Sequence, residues 1–268
     1  WGMALAQIDT PFIVQLRAAF QSASTLYLVT DFYNGGTLYY HLRRADKGCF
    51  DEPRSSFYAA EILLGLDHLH HNGVVYRDLK LENILLDSKG HVAITDFGLS
   101  KQQVVDVSKP QLTTFCGTPD YIAPEMLHGA RYNAAVDWWS FGILMFEMLG
   151  RRSPLHVKNK RVMFHNIKYH KISFPDHFSP AARALLSSLL AKDPATRLGS
   201  KGADEIKSTA FFIFFNFNDL EAKRVSPPWT PAVRDETDTR YIPRNILRLN
   251  VIDELPPETI VLKPNDPA

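Results

Sequence analysis

The segment at residues 134–149 is apolar on nearly every side when it is written as a helix. A helix of this kind has to be buried in a core, because water would otherwise meet an apolar face in every direction. The chain around it has 268 residues, which predicts one large domain or two small ones. Its 45% hydrophobic and 22% charged residues are ordinary for a globular protein.

Four further elements are predicted from local patterns. The β-branched and aromatic run at residues 25–30 predicts a buried strand. Asp51 is a suitable N-cap for a long helix with one apolar face, and Asn72-Gly73 is a suitable end for it. Two short apolar runs at residues 84–86 and 92–94 predict a β-hairpin. Eight of the 17 prolines follow Phe215, which predicts an extended tail that packs on a domain surface or stays mobile.

Charge and cysteine content exclude several classes of protein. The formal net charge of +1 predicts no overall field that would recruit nucleic acid or an anionic membrane. The apolar runs are far shorter than the roughly 20 residues of a membrane span, and no signal peptide is recognisable. The two cysteines cannot form a disulfide framework, which favours a cytoplasmic or nuclear location.

Three short motifs follow one another in a fixed order. Residues 76–83 read Tyr-Arg-Asp-Leu-Lys-Leu-Glu-Asn and lie before the hairpin. Asp-Phe-Gly follows the hairpin at residues 96–98, and Ala-Pro-Glu lies at residues 123–125. In this order they resemble the catalytic loop, the metal-binding loop and the end of the activation segment of a protein kinase.

The resemblance extends over most of the chain. It implies an α+β protein kinase-like fold with a mainly helical C-lobe, short β-hairpins, a partial N-lobe and a C-terminal tail. The implied divisions are an N-lobe remnant (1–30), a hinge (31–36), the C-lobe (37–213) and the tail (214–268).

Finer details resemble the AGC group of serine/threonine kinases. Tyr76 replaces the usual histidine, and Phe-Cys-Gly-Thr-Pro at residues 115–119 and Arg-Leu-Gly at 197–199 are present. By this resemblance, Glu82 and Glu147 bind a basic residue upstream of the target Ser or Thr. The implied partners are therefore protein substrates with basic residues before the acceptor, and not nucleic acid.

The resemblance assigns the chemistry to five residues. Asp78 orients the substrate hydroxyl, Lys80 neutralises the transferring phosphate, and Thr118 belongs to the same catalytic group. Asn83 and Asp96 offer the oxygen ligands that suit Mg²⁺. Phosphoryl transfer needs positioning and charge neutralisation more than covalent work, and these residue types fit that need. The implied cofactors are ATP and Mg²⁺.

By the same resemblance, the nucleotide site includes a gatekeeper, hinge residues and a floor beneath adenine. Thr30 is the implied gatekeeper, and Leu85 is the implied floor. An apolar residue beside a strand is often plain core, so both interpretations of Leu85 stay open. The assigned residues are Thr30, Asp31, Tyr33, Glu82, Leu85 and Thr95.

A phosphorylation switch and a set of structural residues complete the assignment. Phosphate on Thr114 would be held by Arg77 and Lys101, and an upstream kinase would add it; Thr113 is the competing acceptor. The structural residues implied by the resemblance are Glu125, Arg197 and Asp137.

Some expected parts of a kinase do not occur in the sequence. No Gly-x-Gly-x-x-Gly precedes the hinge, and only one lysine, Lys47, precedes Lys80. Trp1 falls about where the upper-lobe helix glutamate is expected. We therefore expect that this chain alone could be inactive, and a truncated, non-catalytic binding module is the alternative. The histidines 68, 70 and 71 predict a solvated or capping role rather than a metal site.

Overall fold

The computed structural model describes residues 8–21, 25–102, 104 and 106–248. Its strands are β1 (Leu16–Gln21), β2 (Leu26–Thr30), β3 (Ile84–Leu86) and β4 (Val92–Ile94). Its α-helices are α1 (Leu38–Leu42), α2 (Glu52–His71), α3 (Pro124–Leu127), α4 (Ala135–Gly150), α5 (Lys160–Tyr169), α6 (Pro180–Leu189), α7 (Asp204–Lys207), α8 (Phe217–Glu221) and α9 (Arg244–Leu247). The predicted N-lobe remnant and tail lie partly outside the described residues. No described helix is long and apolar enough to cross a bilayer.

Two long helices, α2 and α4, form the centre of the core. The Asp51 side chain accepts a hydrogen bond from Arg54 N at 2.9 Å and so caps α2, as predicted. Residues 55–66 of α2 are all buried, so the predicted single apolar face is too narrow. Residues 135–149 of α4 are buried as well, which confirms the prediction of an enclosed helix.

The two hairpins differ in how far they are covered. Strands β3 and β4 pair antiparallel with Ile84 opposite Ile94, which confirms the predicted hairpin. Strand β2 pairs with β1, but Leu28 and Val29 are each 45% exposed. The prediction of a buried strand is therefore wrong: within the described residues this sheet has two strands, and the exposure of the consecutive residues Leu28 and Val29 means that neither face is covered there.

The described part of the tail packs against α1 and α2. The Trp229 and Tyr241 rings lie 4.7 and 4.9 Å from the His41 ring. The Arg54 guanidinium of α2 lies 4.0 Å over the Trp229 ring. Of the two predicted behaviours, packing on the surface is the one found for the tail as far as Tyr241, whereas residues 243–248 are exposed.

Candidate active site

The Asp78 carboxylate is the centre of a small polar cluster and is 6% exposed. Its Oδ1 accepts a hydrogen bond from the Thr118 hydroxyl at 2.9 Å. Its Oδ2 accepts from Lys80 Nζ at 2.7 Å and from Asn83 Nδ2 at 3.2 Å. Lys80 Nζ also donates to Thr118 Oγ1 at 3.2 Å. The four residues assigned to catalysis therefore lie together in one hydrogen-bonded group.

The loop that carries Asp78 is held in place by the buried carboxylate of Asp137, a residue of α4. Asp137 accepts hydrogen bonds from the backbone N–H of Tyr76 at 2.9 Å and of Arg77 at 2.7 Å. Its Oδ2 is also bonded to His70 Nε2 at 2.8 Å. Arg77 has φ of +70°, a left-handed conformation that a non-glycine residue rarely adopts. The bonds to Asp137 hold it there.

The structure contradicts the role predicted for His70. A solvated or capping role was predicted for His68, His70 and His71, but His70 is buried against Asp137. No local pattern predicts this role, because His70 and Asp137 are 67 residues apart and meet only through the packing of α2 on α4.

The two residues assigned to metal binding lie close to one backbone hydrogen bond. Thr95 N donates to the Asn83 carbonyl at 2.9 Å, and Asp96 directly follows Thr95 in the chain. Because Asn83 Nδ2 also donates to the Asp78 carbonyl at 3.0 Å, the amide oxygen is directed away from Asp78. Asp96 is exposed, and its φ of +56° is also left-handed.

The side-chain oxygens of Asn83 and Asp96 suit an Mg²⁺ ion whose other ligands come from a bound substrate. Among residues 8–21, 25–102, 104 and 106–248 there is no group of three His, Cys, Asp or Glu side chains that could hold a metal alone. Mg²⁺ is commonly bound by one or two carboxylates together with substrate phosphates and water. A site of one carboxylate and one amide oxygen is therefore compatible with Mg²⁺ that arrives with a nucleotide.

The predicted hinge is tied to the β3–β4 hairpin. Gly35 N donates to the Leu86 carbonyl at 2.9 Å, and Leu86 N donates to the Gly36 carbonyl at 2.8 Å. A Cβ at Gly35 would lie 2.5 Å from the Leu86 oxygen, so only glycine fits. Leu85 is half-buried between the fully buried Ile84 and Leu86. Its side chain is thus not enclosed by the core.

Of the other residues assigned to the nucleotide site, three lie at or next to the hinge and Thr95 directly follows β4. Thr30 is exposed at the end of β2. The Asp31 carboxylate accepts two hydrogen bonds from Arg17, at 2.6 and 2.8 Å. Burial, with the Asp31 charge adding to it, raises the pKa of Tyr33 to about 12. Thr95 is half-buried and its carbonyl accepts from the Tyr76 hydroxyl.

Thr114 is exposed and is connected to Arg77 through an aromatic hydroxyl. Tyr132 Oη donates to the Thr114 carbonyl at 2.7 Å, and Arg77 Nη1 donates to Tyr132 Oη at 3.0 Å. Arg77 Nε donates to the Leu99 carbonyl at 2.7 Å. Lys101 is exposed, and its backbone forms two hydrogen bonds, each of 2.9 Å, with the backbone of Val75. Sequence reasoning missed Tyr132, which no motif marks.

The two acidic residues assigned to substrate binding differ in exposure. Glu82 is exposed, whereas Glu147 is buried and its Oε2 accepts from the Tyr121 hydroxyl at 2.6 Å. Burial raises the pKa of Glu147, and the nearby Glu82 charge raises it further. The two carboxylates therefore form one acidic region, to which the catalytic loop contributes Glu82.

Two of the residues assigned to structure, Arg197 and Glu125, form a buried ion pair. Arg197 Nη1 and Nη2 donate to the two carboxylate oxygens of Glu125 at 2.7 and 2.8 Å. Arg197 Nη1 also donates to the Ala135 carbonyl at 2.7 Å, which links the pair to the start of α4. The pair thus joins the end of the activation segment to the core.

Comparison with known proteins identifies the family. Residues 3–212 match the protein kinase domain, and the chain belongs to the protein kinase family. The resemblance drawn from the motifs, and the kinase-like fold that it implied, are therefore confirmed.

Named relatives place the chain, within the protein kinase family, in the AGC group of serine/threonine kinases. Serine/threonine-protein kinase YPK2/YKR2 of Saccharomyces cerevisiae is 47% identical over 251 residues, which cover 94% of this chain and 36% of that protein. Sgk1 of Homo sapiens is 46% identical over 241 residues, 90% of this chain and 55% of Sgk1. RAC-beta serine/threonine-protein kinase A of Xenopus laevis is 43% identical over 258 residues, 96% of this chain and 50% of that kinase. The chain thus spans between about a third and a little over half of these relatives.

Proposed function

We propose that this chain carries the phosphoryl-transfer site of a protein kinase that moves the γ-phosphate of ATP to Ser or Thr. The observation that carries the proposal is the Asp78 cluster, in which Lys80, Asn83 and Thr118 all bond one carboxylate. The named relatives are serine/threonine-protein kinases, which supports the same activity here.

The hydrogen bonds at Asp78 leave room for a substrate hydroxyl. A carboxylate has about four lone-pair positions. Two on Oδ2 are occupied by Lys80 and Asn83, and one on Oδ1 is occupied by Thr118. The fourth position, on Oδ1, can accept the proton of an incoming Ser or Thr hydroxyl. Asp78 would thereby orient that oxygen for attack.

Charge neutralisation would come from Lys80 and from the metal site. The Lys80 ammonium group lies beside both Asp78 and Thr118, where a transferring phosphate would meet the acceptor. Bound at Asn83 and Asp96, Mg²⁺ would neutralise charge on the nucleotide phosphates.

Transfer of labelled phosphate tests this proposal directly. The native polypeptide that carries residues 1–268 is incubated with Mg-ATP and a serine peptide with arginine upstream of the acceptor. We expect label on the serine, and absence of transfer by the native polypeptide contradicts the proposal.

The non-catalytic alternative is separated by a binding measurement. Asp78, Asn83 and Asp96 are all present, and the named relatives are kinases, so the comparisons do not favour a binding module. Calorimetry with Mg-ATP should give micromolar affinity for the native polypeptide. No binding, together with no transfer, would leave the binding module as the better description.

Substrate selection by Glu82 and Glu147 predicts a pH effect on KM. Because the pKa of Glu147 is raised, its carboxylate gains a proton at a higher pH than an ordinary glutamate does. Its attraction for an arginine of the peptide should therefore weaken as pH falls, and the loss should begin at a higher pH than for an ordinary glutamate. We expect KM for the arginine peptide to rise as pH is lowered, and kcat to change less.

Replacing Glu147 by glutamine tests its contribution to the pH dependence of KM. Glu147→Gln should have a raised KM with a flatter pH profile. A wild-type KM with the wild-type pH dependence in this variant would contradict the assignment.

Phosphorylation of Thr114 is expected to raise activity. A phosphate there adds nearly two negative charges beside Arg77, whose guanidinium already reaches the Thr114 backbone through Tyr132. Thr114→Ala should abolish the gain in rate that treatment with an activating kinase produces, whereas Thr113→Ala should keep it. An unchanged gain in Thr114→Ala would show that the switch lies elsewhere.

A further inference from the structure

The segment at residues 151–171 is strongly basic. It contains seven lysines and arginines, three histidines and neither aspartate nor glutamate. Because the whole chain has a net charge of only +1, the remainder is net acidic. The small net charge of the whole chain is therefore compatible with a concentration of positive charge in residues 151–171.

Helix α5 presents much of this surface to solvent. Its inner face buries Met163 and Ile167 in the core. Its outer face exposes Arg161 and two apolar side chains, with Val162 48% and Tyr169 66% exposed. The helix is thus held against the domain, and a mixed cationic and apolar face remains outside.

The cations of this segment are not neutralised by the domain. Among the described residues, none of its lysine or arginine side chains has a carboxylate within 4.0 Å. A histidine of this segment does lie near a carboxylate: His156 Nδ1 is 2.6 Å from Asp120. The seven unpaired side chains are Arg151, Arg152, Lys158, Lys160, Arg161, Lys168 and Lys171.

We propose that the face formed by residues 151–171 adsorbs to an anionic lipid surface. Clusters of four to eight lysines and arginines are attracted to anionic headgroups. Helix α5 carries three of the seven cations, Lys160, Arg161 and Lys168, and the other four precede or follow the helix. Exposed Tyr and Val side chains add apolar contact at the headgroup boundary. Adsorption of a folded face differs from a membrane span, and the small net charge does not oppose it.

The shape of the surface favours lipid over an acidic peptide. Peptides that bind as an added strand or as an amphipathic helix use a sheet edge or an apolar groove, and acidic motifs are bound by clusters of arginine. Four of the seven cations in this segment are lysines, and α5 carries one arginine, Arg161. Cavities of about 720, 480 and 450 Å³ open elsewhere on the domain, and no α5 residue lines any of these three. A helix face with protruding cations and one aromatic ring instead matches a plane of headgroups.

Co-sedimentation with vesicles tests the proposal. The full chain is mixed with vesicles of phosphatidylcholine containing about 30% phosphatidylserine, and with phosphatidylcholine vesicles alone. We expect binding to the first and little to the second. The triple variant Lys158→Glu, Lys160→Glu, Arg161→Glu should bind the anionic vesicles about a hundredfold more weakly. Raised salt should release the wild-type chain.

A matched variant separates the location of the charges from their number. Lys89→Glu, Lys201→Glu, Arg234→Glu makes the same change in net charge at exposed positions elsewhere. It should bind like wild type within about threefold, because charges beyond a Debye length are screened. Equal loss in both triple variants would overturn the proposal.

The remaining outcomes have defined meanings. Equal binding to both kinds of vesicle overturns the proposal, because it shows that lipid charge is not recognised. Binding of a soluble polyglutamate peptide without vesicle binding also overturns it, in favour of an acidic protein partner. Neither readout depends on phosphoryl transfer, so failure here leaves the proposed kinase activity untouched.

Discussion

Asp78→Asn is expected to lower kcat for transfer to a peptide serine by about 10²- to 10⁴-fold, the usual contribution of a positioned acid or base. The asparagine side chain has nearly the same shape, but it cannot accept the hydroxyl proton and carries no charge for Lys80. One of its polar atoms becomes an N–H₂ donor, which would face either Thr118 or Lys80 in place of an acceptor.

The measurement is a comparison of kcat and KM for the native polypeptide and the variant at saturating Mg-ATP. KM for the peptide should change far less than kcat, because the residues assigned to peptide binding, Glu82 and Glu147, are unaltered. Asp176→Asn is the matched control, since that carboxylate is fully exposed. A variant at Asp78 that keeps more than half of the wild-type kcat would remove this residue from the chemistry.

The candidate site was predictable through its resemblance to a protein kinase, and part of its geometry follows from the closeness of three of its residues in the chain. Asp78, Lys80 and Asn83 fall within six positions, and the hairpin that follows returns the chain to Asp96. The order of the motifs therefore carries most of the geometry. The enclosed helix α4 was predictable for a different reason, since its composition allows no exposed face.

The supports of the site were harder to predict because they depend on packing between distant segments. His70 meets Asp137 across 67 residues, and Tyr132 meets Arg77 across 55. No local periodicity encodes such contacts. The exposure of Leu28 in β2 has the same origin, because a β-rich run shows that a strand forms but not whether another layer covers it.

Arg197→Met is expected to lower the free energy of unfolding by about 3–5 kcal/mol, the usual cost of removing one partner of a buried ion pair. Arg197 is fully buried, and methionine leaves the Glu125 carboxylate and the Ala135 carbonyl without their donor. Denaturant unfolding followed by circular dichroism measures the loss. The exposed pair Arg17–Asp31 has similar bonding distances, so Arg17→Met is a control that should lose only a small fraction as much.

A double variant distinguishes an unpaired charge from lost packing. In Glu125→Leu with Arg197→Met, no charge is left buried, so the double variant should regain much of the stability that Arg197→Met loses. If Arg197→Met instead lost stability because the Arg197 side chain fills space in the core, adding Glu125→Leu would lower the free energy of unfolding further. Recovery would mean that the pair fixes the position of the activation segment on α4 more than it stabilises the domain. In that case the double variant should remain folded and still transfer phosphate more slowly than wild type, because the segment that carries Thr114 and Thr118 would have lost its bond to Arg197.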